Sequence, residues 1–165
     1  MRDRVTVDSV AFARDARELR GRLPVADLAR LRDALVDTDG DVAYRLAGSM
    51  DKDGKATLQL EVAAKLQLVC QRCLGPVEFD LQSTRDLVLV PPGQPLADPA
   101  DEPDDVEEIH ADAKLDVAAL VEDEVILSLP MVAAHEAGEC AMPKSQEGMN
   151  ETQSAFGSLA SLKRQ

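Results

Sequence analysis

Aromatic residues make up only 2% of this 165-residue chain, which has no tryptophan and only Phe12, Tyr44, Phe79 and Phe156. A core built from it must be aliphatic, filled by Leu, Val and Ala, and few rings remain on which nucleic-acid bases could stack. Long apolar runs are missing too. No stretch approaches the length of a membrane span, and the charged opening Arg2, Asp3, Arg4 leads into no signal-peptide-like segment, so a soluble, cytoplasmic protein is expected. The cysteines, Cys70, Cys73 and Cys140, are odd in number, which argues against a disulfide framework and for reduced thiols. His110 and His135 are the only histidines. A nucleophilic cysteine needs an oriented base, and with so few candidates no enzyme is expected.

Positive charge is the other shortage. The formal net charge is −13, and a surface so acidic repels phosphate backbones and suits a basic partner. The imbalance is uneven: residues 91–129 hold twelve acids against Lys114 alone. Residues 1–35 run the other way, with Arg2, Arg4, Arg14, Arg17, Arg20, Arg22, Arg30 and Arg32 against six acids. Two readings of that arginine cluster stand: a solvated helical face with alternating charge, or a seat for direct RNA contact.

What is abundant is pattern. Leu28, Leu31 and Leu35 behind Pro24 predict a helix over 24–36. Val42, Tyr44, Leu46, Gly48 and Met50 alternate as a strand up to an Asp51-Lys52-Asp53-Gly54 turn. Leu58, Leu60, Val62, Ala64, Leu66, Leu68 and Cys70 then occupy every second position, predicting a long strand with one buried face. Alternation resumes at Val77, Phe79 and Leu81 and again over 87–90, which puts Cys70 and Cys73 at a hairpin tip. Residues 91–105, rich in Pro, Gly, Asp and Ala, predict a mobile acidic loop. A short edge strand over 106–110 and a helix capped by Asp116 and stopped by Pro130 follow. The expected architecture is α+β over 1–140, an antiparallel sheet of long hairpins covered by two to three helices. A disordered linker, 141–153, leads to Phe156, Leu159 and Leu162 ahead of Lys163 and Arg164, a short amphipathic segment at 154–165.

Four stretches together resemble the YceD family of bacterial proteins: Cys70-Gln71-Arg72-Cys73, the run from Leu115-Asp116-Val117 through Val121-Glu122-Asp123-Glu124-Val125-Ile126-Leu127, Leu129-Pro130, and the end from Phe156-Gly157-Ser158-Leu159 to Leu162-Lys163-Arg164. The resemblance spans roughly residues 40–165. It implies a ribosome-biogenesis accessory needed for the synthesis, processing or stability of 23S large-subunit ribosomal RNA. A strongly basic large-subunit ribosomal protein, or a pre-ribosomal particle containing one, agrees with the acidic charge as partner; contact with the RNA would then be indirect, and no small-molecule substrate is expected. Partner contacts are expected from Glu122, Asp123 and Glu124, read as an exposed acidic patch, and from Phe156, Leu159, Leu162, Lys163 and Arg164. The other reading is a direct RNA-binding module using the amino-terminal arginines and the hairpin tip.

Cys70 and Cys73 have the spacing of half a zinc knuckle. A tetrahedral site needs two more ligands, and His135 with Cys140 are the remaining pair suitably placed after the Leu129-Pro130 helix stop. Members of the resembled family often carry a second cysteine pair there, so His135 stands where a cysteine is usual and would still serve as a ligand. The alternative is structural: Cys70 closes a buried strand, Cys73 belongs to a turn, and Cys140 is an incidental thiol. Structural zinc and no metal are both open at this point.

Overall fold

The computed structural model describes residues 5–98 and 106–140. Strand β1 (Thr6–Val7) is followed by helix α1 (Ser9–Arg14), whose amino terminus is capped by the Asp8 carboxylate accepting from the Ala11 amide at 2.9 Å. Strands β2 (Glu18–Pro24), β3 (Asp41–Met50), β4 (Ala56–Val69), β5 (Pro76–Val90) and β6 (Val106–His110) form one sheet in that order. Strand β7 (Leu115–Asp116) pairs with β1 and leads straight into helix α2 (Val117–Ser128). The α+β class expected from the pattern is the class observed.

Alternation determines the sheet. Leu58, Leu60, Val62, Ala64, Leu66 and Leu68 of β4 are all buried, while Gln59, Glu61, Ala63 and Lys65 look outward. The β3–β4 and β4–β5 hairpins are antiparallel, with Leu60 opposite Leu46 on one side and Arg85 on the other. Strand β6 departs from the expected antiparallel pairing. It runs parallel to β5, Asp86 opposite Val106 and Val90 opposite His110. Part of the connection after β5 is fastened: the Ala97 amide donates to Glu108 at 2.7 Å, and His110 Nε2 lies 3.0 Å from the Gln94 carbonyl. Residues 99–105 of the expected mobile loop, like the expected linker 141–153 and the segment 154–165, lie outside the described residues.

The helix expected over 24–36 is instead two 3-10 segments, Val25–Asp27 and Ala29–Ala34, parted at Leu28 (φ −92°, ψ 85°). Leucines three residues apart fit three residues per turn as well as 3.6, so Leu28 and Leu31 are buried either way. The arginines do not share a helical face. Arg20 and Arg22 flank Gly21 on the edge strand β2, Arg14 closes α1, and Arg30 and Arg32 belong to the second 3-10 segment.

The inner sheet face carries an aliphatic core of Val42, Leu46, Leu58, Leu60, Leu66 and Leu81, closed by Phe12 and Ala13 of α1, Val25, Leu28 and Leu31 of the 3-10 segments, and Val117, Val121 and Val125 of α2. Gly48 lets α1 lie directly on β3, since a Cβ there would meet the Phe12 carbonyl oxygen at 2.5 Å. Asp116 caps α2, accepting from the Ala118 and Ala119 amides at 3.0 and 3.2 Å, and the helix ends at Leu129, one residue before Pro130. These boundaries leave residues 129–140 to run on toward the tip of the β4–β5 hairpin, closing with a turn in which the Glu139 amide donates to the Glu136 carbonyl at 3.1 Å.

Candidate metal centre

At that tip Cys70 leaves β4 completely buried, and the chain reverses through Cys73 into β5. The Cys70 amide donates to the Gly75 carbonyl at 2.8 Å and the Leu74 amide to the Cys70 carbonyl at 2.9 Å, which closes the turn. Leu74 takes the left-handed conformation (φ +59°), a position more natural for glycine. The Arg72 amide points at the Cys70 sulfur from 3.4 Å. The Gln71 amide donates to the Ala133 carbonyl at 2.8 Å and so draws the segment after α2 alongside the turn.

The two halves meet there. Cys73 Sγ and Cys140 Sγ lie 3.5 and 3.6 Å from His135 Nδ1, Cys70 Sγ lies 3.7 Å from Cys140 Sγ, and the four ligand atoms are all within 4.8 Å of one another. A tetrahedral ion with Zn–S near 2.3 Å and Zn–N near 2.0–2.1 Å sets its sulfurs about 3.8 Å apart and each sulfur about 3.5 Å from the nitrogen. The three distances agree with that geometry. His135 Nε2 is 2.9 Å from the Pro76 carbonyl, so its N–H donates there and Nδ1 turns its lone pair to the sulfurs. The four residues form a group that could hold a metal ion.

Their electrostatics differ sharply. The Cys73 backbone N–H, aided by the amides of Arg72 and His135, draws the Cys70 thiol down to about 5 in spite of its burial. Burial raises the Cys140 thiol to about 11, and the neighbouring Cys70 and Cys73 sulfurs push the same way. One sulfur is thus ready to act as an anion before any metal arrives, and another gives up its proton only to something as electrophilic as a cation.

The acidic run of α2 is built differently from expectation. Glu124 is buried, not exposed: its carboxylate accepts from the Ser83 hydroxyl, from Arg85 Nε at 3.2 Å and from the Ser128 hydroxyl at 3.3 Å. Glu122 accepts from the backbone amide and Nε of Arg30 at 2.8 and 3.0 Å, while Asp123 accepts from Arg30 Nη1 at 2.6 Å. The helical period turns Glu124 inward with Val117, Val121 and Val125, and a polar partner on β5 receives it. Three adjacent acids gave no hint of Arg30, Ser83 and Arg85; only the odd placement of Ser83 and Arg85 in the inward register of β5 could have done so. The expected partner-binding residues Phe156, Leu159, Leu162, Lys163 and Arg164 lie outside the described residues, as do Arg2 and Arg4. Among the described residues, no helix is long and apolar enough to cross a membrane.

A mixed sheet of long hairpins, capped helices on one face and a thiol–imidazole cluster at the hairpin tip define the class: an α+β protein with the ligand set of a knuckle-type metal site. Comparison with known sequences supplies the family. Residues 58–163 match the family described as "Large ribosomal RNA subunit accumulation protein YceD", a span that begins within β4 and takes in Cys70, Cys73, His135 and Cys140, and the chain belongs to that family. A relative of the same description from Haemophilus influenzae is 26% identical over 172 residues, covering 96% of this chain and 95% of its own. No solved structure matches.

Proposed function

We propose that this protein is a cytoplasmic, non-catalytic accessory to ribosome biogenesis that supports accumulation of 23S large-subunit ribosomal RNA by binding a basic large-subunit ribosomal protein, or an assembly intermediate containing one. The observation that carries this reading is membership of a family described by accumulation of that RNA; the net charge of −13 favours a basic protein over the RNA as the direct contact. In this reading the body up to residue 140 is one folded unit, 141–153 a tether and 154–165 a recognition segment, with Phe156, Leu159 and Leu162 as apolar anchors and Lys163 and Arg164 beside them. Asp123 remains at the surface of α2 as an acidic contact, whereas Glu122 is largely covered by Arg30, which a partner would have to share or displace.

Cys70, Cys73, His135 and Cys140 would hold a structural zinc. The ion would tie the exit of the chain to the hairpin tip, and so fix where the tether starts. The chemistry it supplies is cross-linking alone, since all four tetrahedral positions would be filled by the protein.

The test is an affinity capture from a nuclease-treated lysate, with the full chain and a Phe156-to-Gln165 deletion as baits, read by mass spectrometry and accompanied by elemental analysis of the purified protein. Recovery of a large-subunit ribosomal protein that survives nuclease and is lost with the tail is expected. Partners that vanish with nuclease alone would overturn the protein-binding reading in favour of RNA.

A further inference from the structure

The most exposed large apolar side chains of the described residues belong to the hairpin tip, the last turn of α2 and the segment after it. Met131, Leu74, Val132 and Leu127 are 102%, 74%, 66% and 63% exposed, whereas the remaining exposed large hydrophobics reach only 46%. Val132 lines a groove of about 460 Å³, within the size range of sites that take a ligand. Its lining includes Val77 and Phe79 of the inner sheet face, Val132 and Ala133 of the segment after α2, and His135, with Glu78, Glu136 and Glu139 beside them. Apolar surface exposed in this way marks a contact site, and Leu74 holds its side chain in solvent from a left-handed backbone position.

We propose that the occupant of this groove in the free protein is the chain's own carboxy-terminal segment, residues 154–165. Three observations select it. The described chain ends at Cys140, beside Cys70 and one residue after Glu139 of that lining, so the tether starts at the groove itself. The fifteen residues 141–155 can span up to roughly 50 Å, far more than the distance needed. Finally, the segment presents Phe156, Leu159 and Leu162 at a spacing that puts them on one side of a helical turn, followed by Lys163 and Arg164; an apolar lining with acids beside it is the complement of that pattern. The inference does not depend on the ribosomal reading. A tail seated on its own body presents its apolar side chains to a partner only when it is released.

The experiment uses the full chain as purified, without any partner, and compares it with the Phe156→Asp, Leu159→Asp double variant. A synthetic peptide of residues 154–165 serves as probe. With a trans dissociation constant on the order of 100 μM and an effective concentration on the order of 1 mM for the tethered copy, the native chain should bind the peptide about tenfold more weakly than the double variant, whose groove is free. Hydrogen exchange at 77–79 and 130–134 should be slower in the native chain. Adding Val132→Asp to the double variant should abolish peptide binding while leaving hydrogen exchange in the core strands unchanged, which separates loss of the groove from loss of the fold. Equal affinity of native chain and variant for the peptide, no binding by either, or a native dimer that dissociates on the double substitution would overturn the assignment; the last would make the occupant a second copy.

Discussion

His135 is the ligand on which the candidate centre turns. Its Nε2–H is committed to the Pro76 carbonyl, which leaves Nδ1 as the only nitrogen able to join Cys70, Cys73 and Cys140. His135→Cys would place a sulfur near the same point and should retain zinc, whereas Cys140→Ser should lower zinc affinity by tenfold or more. The thiols set the pH dependence. With Cys70 at about 5 it is already ionised at neutral pH, while Cys140, raised to about 11, is protonated until a metal displaces its proton. Zinc binding must therefore release at least that one proton, so apparent affinity should rise by about tenfold per pH unit between pH 6 and 8, for each proton displaced. Competition titrations with a chromophoric chelator at three pH values would measure the slope; a flat profile would show that Cys140 does not ligate.

At the scale of elements, α2 is fixed to the sheet by one buried polar contact among its valines. Glu124 meets Ser83 and Arg85 of β5 where the inner face would otherwise be apolar. Removing the carboxylate leaves a largely buried guanidinium without that counter-charge, so Glu124→Ala should cost about 3 kcal/mol in urea unfolding and Glu124→Gln clearly less, since an amide oxygen can still accept. A loss under about 1 kcal/mol for the alanine variant would mean that the valines alone hold the helix. This contact also marks where sequence reading stops. Strand β4 was legible because seven alternate apolar residues leave no other periodicity, and α2 because Asp116 and Pro130 punctuate it. Strand β2 went unseen: Leu19, Gly21 and Leu23 offer a weak inner face, and the intervening Arg20 and Arg22 look like a charged helix until β3 is there to pair with them. The second 3-10 segment is tied to α2 through Arg30, which reaches Glu122 and Asp123 more than ninety residues away in sequence, a pairing no local pattern encodes. That Cys70, Cys73, His135 and Cys140 come together was legible for the opposite reason, since cysteine and histidine are too scarce here to allow many combinations.

Across the whole molecule, the centre and the core are separate structures that share one hairpin. The core cluster runs from Phe12 to Val125 and includes none of the four ligands, and the sheet's long hairpins pair along their lengths without help from the tip. The metal-free chain should accordingly stay folded, unlike small zinc modules whose only core is the ion. Chelation is expected to leave the far-ultraviolet circular dichroism of the sheet unchanged while hydrogen exchange accelerates at 70–75 and 130–140, because the metal bonds between those two segments would be replaced by the Gln71–Ala133 and His135–Pro76 hydrogen bonds and by weak thiol contacts. An ion that binds only the folded state adds about 4 kcal/mol at a thousandfold excess over its dissociation constant. For a chain of this size that corresponds to roughly 8–16 °C in Tm. Restoring zinc to chelated protein should return that shift and the exchange protection together. If chelation instead unfolded the sheet, the hairpin tip would be part of the core's own stability; if it changed neither observable, the four side chains would be a reduced cluster that binds nothing.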